Sequence, residues 1–523
     1  MTTDAPAPAA DIRIDALISA DPLRWNVENP YGTGVRLTFS FPSAPPAHAG
    51  ADDLVGWRPF DATEIAVTRA ILRDLSLLVG IDFVEVQGTG DLVFANNYNP
   101  GVLDGGYAGY AYLPNSTGGA SDGDVFMNHN ETASIGEGAY APGGRQLSTL
   151  VHEIGHALGL KHPRDYQPRE PIENKTDVPP FLPEELDTSA NTVMTYVDPA
   201  LGNQRVDFGP FDILALQFLY GARRVAEGND VYRFTDADGA TFRTIHDNGG
   251  IDTIDLSALT SAATMDLRAG ALSGIGVSPS GAPNVGNVSI MLDNPRVGLT
   301  TLIENVVGTA FGDTLVGNAA ANRFTPGAGA DRVDGLAGLD VVVANVQRAE
   351  VTAARTAAAD WTVTLPDGAD TLVNVERIVF SDGVLALDIE LGTDFSNAGT
   401  AYRMYQAAFA RTPDAGGLGF WINALDKGLS VRDLAGGFVT SAEFAQTYGA
   451  APTTEALVDG FYRNILGREA EAGGRAFWIG VMDSAPTGRF DALAGISNSA
   501  ENQERLLPTI GQGIFLPGDV LVA

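Results

Sequence analysis

Apolar residues in the segment TEIAVTRAILRDLSLLVG, residues 63 to 80, recur at Ile65, Ala66, Ala70, Leu72, Leu75 and Leu78. That spacing predicts an amphipathic helix. The runs IDFVEV and DLVFAN that follow read as short strands. A second helix is predicted over RQLSTLVHEIGHALGL, where Leu147, Leu150, Val151, Ile154 and Leu158 form one stripe and Gly159 stands where a helix can end. A third is predicted over PFDILALQFLYG, residues 210 to 221. Residues 25 to 225 therefore read as a mixed α+β domain, preceded by residues 1 to 24 as an extension or short pro-segment.

Beyond residue 226 the helical recurrence fades and Gly, Asp, Asn, Thr and Val dominate. Residues 308 to 343 divide into four nine-residue units, GTAFGDTLV, GNAAANRFT, PGAGADRVD and GLAGLDVVV. Their sixth positions hold Asp313, Asn322, Asp331 and Asp340, and their eighth hold Leu315, Phe324, Val333 and Val342. A fixed period of this kind predicts stacked repeats with the apolar position inside. Helical composition returns over 400 to 505, with an internal duplication at an offset of 57 that pairs Tyr405 with Tyr462, Arg411 with Arg468, Gly417 with Gly474 and Trp421 with Trp478. These aromatics suit helix packing.

Composition narrows the chemistry. The 523 residues exceed what one core organises and suggest several domains. The net charge of −33 opposes binding to nucleic acid phosphates or anionic membranes and suits cations. The apolar runs fall short of the ~20 residues a membrane span needs. No cysteine is present, which removes thiolate metal sites, disulfides and cysteine nucleophiles. The first twenty residues carry neither the basic region nor the apolar stretch of a cleaved secretory signal.

Three of the chain's six histidines fall within HEIGHALGLKHP, residues 152 to 163. His152 and His156, four apart, project from one helix face and can share a metal ion. Gly159 lets the chain turn back so that His162 becomes a third ligand. Glu153, next to the first ligand, is placed to take a proton from an attacking water. His48, His129 and His246 read as ordinary core or surface residues.

The full HExxHxxGxxH, followed by Pro163, resembles the metzincin metalloproteases, and with the downstream repeats it is similar to the serralysins, secreted zinc endopeptidases. The resemblance implies a zinc cofactor on His152, His156 and His162, and Glu153 as general base. It implies a Met-turn in NTVMTY, residues 191 to 196, with Met194 beneath the zinc and Tyr196 as a further zinc ligand that swings away to support the transition state. AGYAYLP, residues 108 to 114, is similar to the edge strand that holds extended peptide in these enzymes, and LQFLYGA, residues 216 to 222, to the end of their catalytic domain. The nine-residue units resemble RTX repeats with degraded glycines. That resemblance implies a parallel β-roll over 226 to 390 and calcium at Asp313, Asp331 and Asp340, with Asp313 and Asp331 facing each other across one ion. DNGGIDTIDLS, residues 247 to 257, is similar to the start of such a roll and adds Asp230, Gly250 and Asp252 as calcium candidates. TLVNVERIVFSDGVLALD, residues 371 to 388, resembles a segment that closes one.

The duplicated tail resembles a helical domain of unknown function attached to secreted repeat proteins. The final GDVLVA, with Asp519 before Val520, Leu521 and Val522, is similar to an uncleaved terminal signal read by type I export machinery, which places the protein outside the cell. The expected fold is thus multidomain: an α+β metzincin catalytic domain (25–225), an all-β roll (226–390), an all-α domain (400–505) and a tail (506–523). The expected function is zinc-dependent hydrolysis of peptide bonds in protein or peptide substrates, without nucleic acid or membrane insertion. Two other readings remain open to the sequence: a calcium-dependent surface or matrix protein whose protease domain is secondary or inactive, and hydrolysis of a non-peptide amide by the same zinc.

Overall fold

The computed structural model describes residues 11–18, 23–98, 108–116, 118–129, 139–166, 178–197, 202–356, 360–389, 396–518 and 520–521. It divides into two compact units, Met1–Ile303 and Glu304–Ala523. The division falls inside the stretch that composition alone groups as 226 to 390.

In the first unit a sheet is ordered Ile81–Glu85, Val35–Ser40, Leu92–Asn97, Val125–Asn128, Gly109–Ala111. The first four strands run parallel and the last is antiparallel at the edge. Leu92–Asn97 lies in the middle with every residue buried, as a strand covered on both faces should. Helices Ala62–Leu78, Arg145–Ala157 and Pro210–Tyr220 occupy the three predicted segments. Leu147, Leu150, Val151, Ile154 and Leu158 all join the core, each large side chain contributing roughly 1.5–3 kcal/mol of burial.

The first helix departs from its apolar reading. Its fully buried face is Glu64, Thr68, Leu72 and Leu75, whereas Ala66 is exposed. Two polar residues go inside because their groups are satisfied there. Glu64 accepts from the Asp61 amide at 2.8 Å, Asn96 Nδ2 at 2.8 Å and the Tyr140 hydroxyl at 3.1 Å, and the Thr68 hydroxyl donates to the Glu64 carbonyl at 2.8 Å. Residues of the amino-terminal segment also enter this core. Ile14, Ala16 and Leu17 are buried in it, and Lys161 donates through Nζ to the Ala16 carbonyl and through its amide to the Leu17 carbonyl. As placed, the segment is a structural part of the unit.

In the second unit the nine-residue period becomes geometry. Asn305–Val307, Arg323–Thr325 and Val341–Val343 pair in parallel, as do Thr314–Val316 and Arg332–Asp334, each pairing joining residues 18 apart such as Thr314 and Arg332. Two units make one coil. Leu315, Phe324, Val333 and Val342 are all buried. An antiparallel hairpin, Thr352–Arg355 with Asp360–Leu365, interrupts the period. Gly368–Val373 and Arg377–Phe380 then rejoin the two parallel stacks, and Gly383–Ala386 and Ile514–Pro517 close one stack in antiparallel sense.

The helical part runs from Asn397–Phe409 to Ala500–Ile510, and the duplication makes the same contacts twice. Arg411 lies over the Tyr405 ring and binds Glu443; Arg468 lies over the Tyr462 ring and binds Glu501. Trp421 packs on Gly437 and Trp478 on Gly495, where a Cβ would fall 2.6 and 2.3 Å from the indole. Tyr405 and Tyr462 are core, the two tryptophans are half-buried, and the neighbouring Phe420 and Phe477 are exposed.

The buried Arg377 guanidinium binds Asp388 and also Asp426 of helix Ala415–Asp426. Replacing it leaves two buried carboxylates without their cation. Arg377→Ala is expected to cost the second unit about 3–5 kcal/mol, read as an earlier thermal transition by circular dichroism; an unchanged transition would show that the guanidinium carries no stability.

Candidate metal centre

Helix Arg145–Ala157 sets His152 and His156 one turn apart on one face, with ring centroids 4.8 Å apart. The helix must then stop abruptly. Gly159 takes φ +98°, and a Cβ there would lie 2.2 Å from the Leu23 carbonyl oxygen, so no other residue fits. The reversal delivers His162, whose Nε2 stands 3.3 Å from His152 Nε2 and 3.1 Å from His156 Nε2.

The opposite ring nitrogens fix the tautomers. His152 Nδ1 donates to the Val193 carbonyl at 2.7 Å and His156 Nδ1 to the Leu160 carbonyl at 2.8 Å. Their Nε2 atoms are therefore lone-pair donors. Burial, followed by the neighbouring His162, pulls His152 down to about 3 and His156 well below its usual value, so both stay neutral at physiological pH.

Glu153 is 6% exposed, and burial pushes its carboxyl up to about 8. It lies against the edge strand: a Cβ on Gly109 would sit 3.0 Å from Glu153 Cγ. Met194 is fully buried, with its sulfur against Gly155, where a Cβ would fall 2.6 Å from Sδ. Tyr196, two residues on, is 51% exposed, its ring centroid 4.4 Å from that of His162 and stacked 5.6 Å from that of His152.

Sequence reasoning missed three supports of this site. Gly155 admits the methionine. Asp212, in the first turn of helix Pro210–Tyr220, accepts from the Thr192 hydroxyl at 2.5 Å, the Val193 amide at 2.8 Å and the Gly209 amide at 2.7 Å; it thus holds the residue whose carbonyl orients His152. Tyr166 stacks on Tyr196 at 4.8 Å. An acid three residues after Gly209 is a capping signal that could have flagged Asp212; nothing local flags Tyr166.

The acidic candidates separate into two kinds. Asp230 and Asp252 come together with Asp247, ligand oxygens of all three lying within 4.8 Å of one another. Gly250 shapes the turn: at φ +135° a Cβ would lie 1.9 Å from the Gly228 carbonyl oxygen. Asp247 was not among the candidates although it opens the DNGGID segment. Asp252 also accepts the Asp230 amide at 2.7 Å; Asp313, Asp331 and Asp340 take part in the same kind of amide bond but lie outside that three-carboxylate group among the described residues. Asp331 accepts the Asp313 amide at 2.7 Å and Asp370 accepts the Asp331 amide at 3.0 Å, while Asp340 accepts the Asn322 amide at 2.7 Å and Glu376 the Asp340 amide at 2.8 Å. The carboxylates form ladders down the two stacks, each capping the backbone of the previous coil. Asp313 and Asp331 are consecutive rungs of one ladder, because the parallel register leaves each amide directly beside the next coil's carboxylate. Asp340 belongs to the other ladder.

Comparison with known proteins adds a second line. The model of the peptidase M10 serralysin C-terminal family matches residues 213–406, and a domain of unknown function (DUF4214) matches 387–443 and 435–506. Serralysin C of Dickeya chrysanthemi is 33% identical over 57% of this chain and 62% of its own length. The chain is serralysin-like. Metallopeptidase AprA of Pseudomonas marginalis is 31% identical over 55% of the chain and 61% of its own, and serralysin of Proteus mirabilis 29% over 59% and 64%. The serralysin-like chain thus spans about three fifths of the length of these relatives, and the double match of the helical family falls on the duplication at offset 57.

Two tests follow from this geometry. Asp212→Ala strands two buried amides and a hydroxyl, so a loss of about 2–4 kcal/mol is expected, with reduced zinc retention after dialysis measured by atomic emission. Retention and stability like those of the wild type would release Asp212 from its supporting role.

The second concerns the ladders, whose acids burial raises to about 6 (Asp331), 7 (Asp370 and Glu376) and 8 (Asp340). An acid whose folded pKa exceeds its unfolded value contributes stability below about pH 4 that is lost as pH climbs through the folded values. In chelator the second unit should therefore melt at a lower temperature at about pH 8 than at about pH 5.5, and millimolar calcium should narrow the gap if cations bind these acids. A melting temperature that rises with pH in chelator would contradict the ladder account.

Proposed function

We propose that this chain is a secreted, zinc-dependent endopeptidase of metzincin type that hydrolyses protein or peptide substrates. The observation that carries the reading is the convergence of three imidazoles, with His162 Nε2 3.3 Å from His152 Nε2 and 3.1 Å from His156 Nε2 and ligand nitrogens of all three within 4.8 Å of one another. Three corners of a tetrahedron with zinc–nitrogen bonds of ~2.0–2.1 Å lie ~3.3–3.4 Å apart, so the donor set fits zinc in spacing and chemistry. Two of these nitrogens carry lone pairs by the tautomer argument above, and a cation between the rings would satisfy both at once.

Zinc, when bound, supplies Lewis acidity that polarises a carbonyl and makes a water acidic near neutral pH. The rest falls to the chain. His152, His156 and His162 hold the ion. Glu153 accepts the proton of the attacking water and passes it to the leaving amine, a task for which a carboxyl raised by burial is suited. Gly109–Ala111, the edge strand of the sheet beside Glu153, is read as the strand on which an extended substrate adds. Tyr196, half-exposed beside His162, is read as the phenol that binds zinc at rest and turns to the tetrahedral intermediate, and Met194 as the packed floor of the site.

In the same reading residues 25–225 form the catalytic domain after an extension over 1–24, and 226–390 form an RTX-type roll. Asp230, Asp247, Asp252 and Gly250 bind calcium near its start, with the ladder acids as further candidates. Residues 400–505 form the duplicated helical domain, and 506–523 a tail read by type I export; Asp519 and Val522 of that tail lie outside the described residues. No helix among the described residues is long and apolar enough to cross a membrane. The relatives are named as proteases, which weighs against reading the chain as a surface or matrix protein.

Glu153→Ala is expected to keep stoichiometric zinc while losing at least about 10²-fold in kcat/KM on casein, the usual contribution of a general base. Undiminished turnover with zinc bound would end the proposed role.

A further inference from the structure

Tyr196 is held by more than the histidines. The Tyr166 ring lies nearly parallel to it, 22° between planes at 4.8 Å, and edge-on to His162 at 5.8 Å. The Tyr166 hydroxyl reaches both oxygens of the buried Asp187, at 2.8 and 2.7 Å, and lies 3.2 Å from Thr195 Oγ1. A phenol has one hydrogen, and the carboxylate takes it, so the Thr195 hydroxyl donates to the Tyr166 oxygen. Thr195 Oγ1 in turn accepts the Val197 amide at 3.0 Å. A chain of bonds from Asp187 through Tyr166 and Thr195 to Val197 thus brackets residue 196 on both sides, while the Tyr166 ring faces its side chain.

We infer that Tyr166, anchored by Asp187, is a positioning residue that sets the resting place of the Tyr196 phenol at the metal centre, its ring fixing the phenol plane and its hydroxyl the backbone at 195 and 197. This rests on the reading of Tyr196 as a metal ligand at rest. The stack also sets what motion costs: for Tyr196 to turn toward an intermediate it must slide off Tyr166, and an aromatic pair of this kind is modest enough to break in each cycle.

The test loads the full-length protein with copper(II) in place of zinc, because phenolate bound to copper(II) absorbs in the visible by charge transfer, a signal independent of turnover. The wild type should show a band that Tyr196→Phe abolishes. Tyr166→Leu, which loses stack and hydroxyl, should lose most of that band at unchanged copper stoichiometry, and in the zinc form lower kcat about tenfold with KM within about twofold. Tyr166→Phe, which keeps the stack, should retain an intermediate band and remains informative should the leucine variant fold poorly. Full band and full kcat in the folded Tyr166 variants would overturn the inference while leaving Tyr196 as a ligand. A wild-type spectrum without a Tyr196-dependent band would overturn both readings, and that outcome is visible before any Tyr166 variant is made.

Discussion

Everything at the centre depends on two hydrogen bonds that seem incidental to it. Because His152 and His156 spend their Nδ1 protons on the carbonyls of Val193 and Leu160, their Nε2 lone pairs face one small volume together with His162. Two lone pairs directed at one volume are a donor set that a cation can satisfy together. The surroundings enforce it in turn. Asp212 holds the Val193 peptide, Gly159 permits the reversal to His162, and Gly155 lets the Met194 sulfur pack against the helix between the two ligands. A pair of glycines and a buried carboxylate thus do as much to shape the donor set as the histidines themselves.

The acidity of the chain resolves into several distinct uses. Asp212 and Glu64 are buried acceptors of backbone and side-chain donors, and they act as internal caps. Asp331, Asp340, Asp370 and Glu376 cap one coil from the next. Asp230, Asp247 and Asp252 crowd their oxygens together, a repulsion that a cation would relieve beyond what the amides of Asp230 and Gly249 and the Tyr232 hydroxyl already do. Counting carboxylates cannot separate these uses, because the distinction lies in whether backbone amides or other carboxylates surround each oxygen.

The legible parts of the sequence were those governed by a fixed interval. His152 and His156 at one turn, the eighth-position apolar residues at nine, and the tyrosine, arginine and tryptophan pairs at 57 each repeat a spacing that the backbone converts directly into a shared face, a coil or a repeated helix contact. Glu64 was illegible as core because its burial depends on Asn96 and Tyr140, distant in sequence. Asp247 was passed over although its segment was noted, since a carboxylate's partners are set by the folding of the turn at Gly250. Tyr166 is four residues beyond His162 with no helix to give that interval meaning, so its stack on Tyr196 emerges only when the 191–196 turn is brought back beneath the histidines.

That turn joins opposite mechanical characters within three residues. Met194 is fully buried and tied to Gly155 by close packing, whereas Tyr196 is half in solvent and touched mainly by rings. A packed thioether against a helix backbone resists displacement, because moving it opens a cavity. A stacked, solvent-facing phenol can leave at the cost of one aromatic contact and regain water. The backbone bonds that bracket residue 196 through Thr195 and Val197 keep this freedom in the side chain and out of the main chain. In the proposed mechanism the phenol would therefore change place without disturbing the Val193 carbonyl that orients His152.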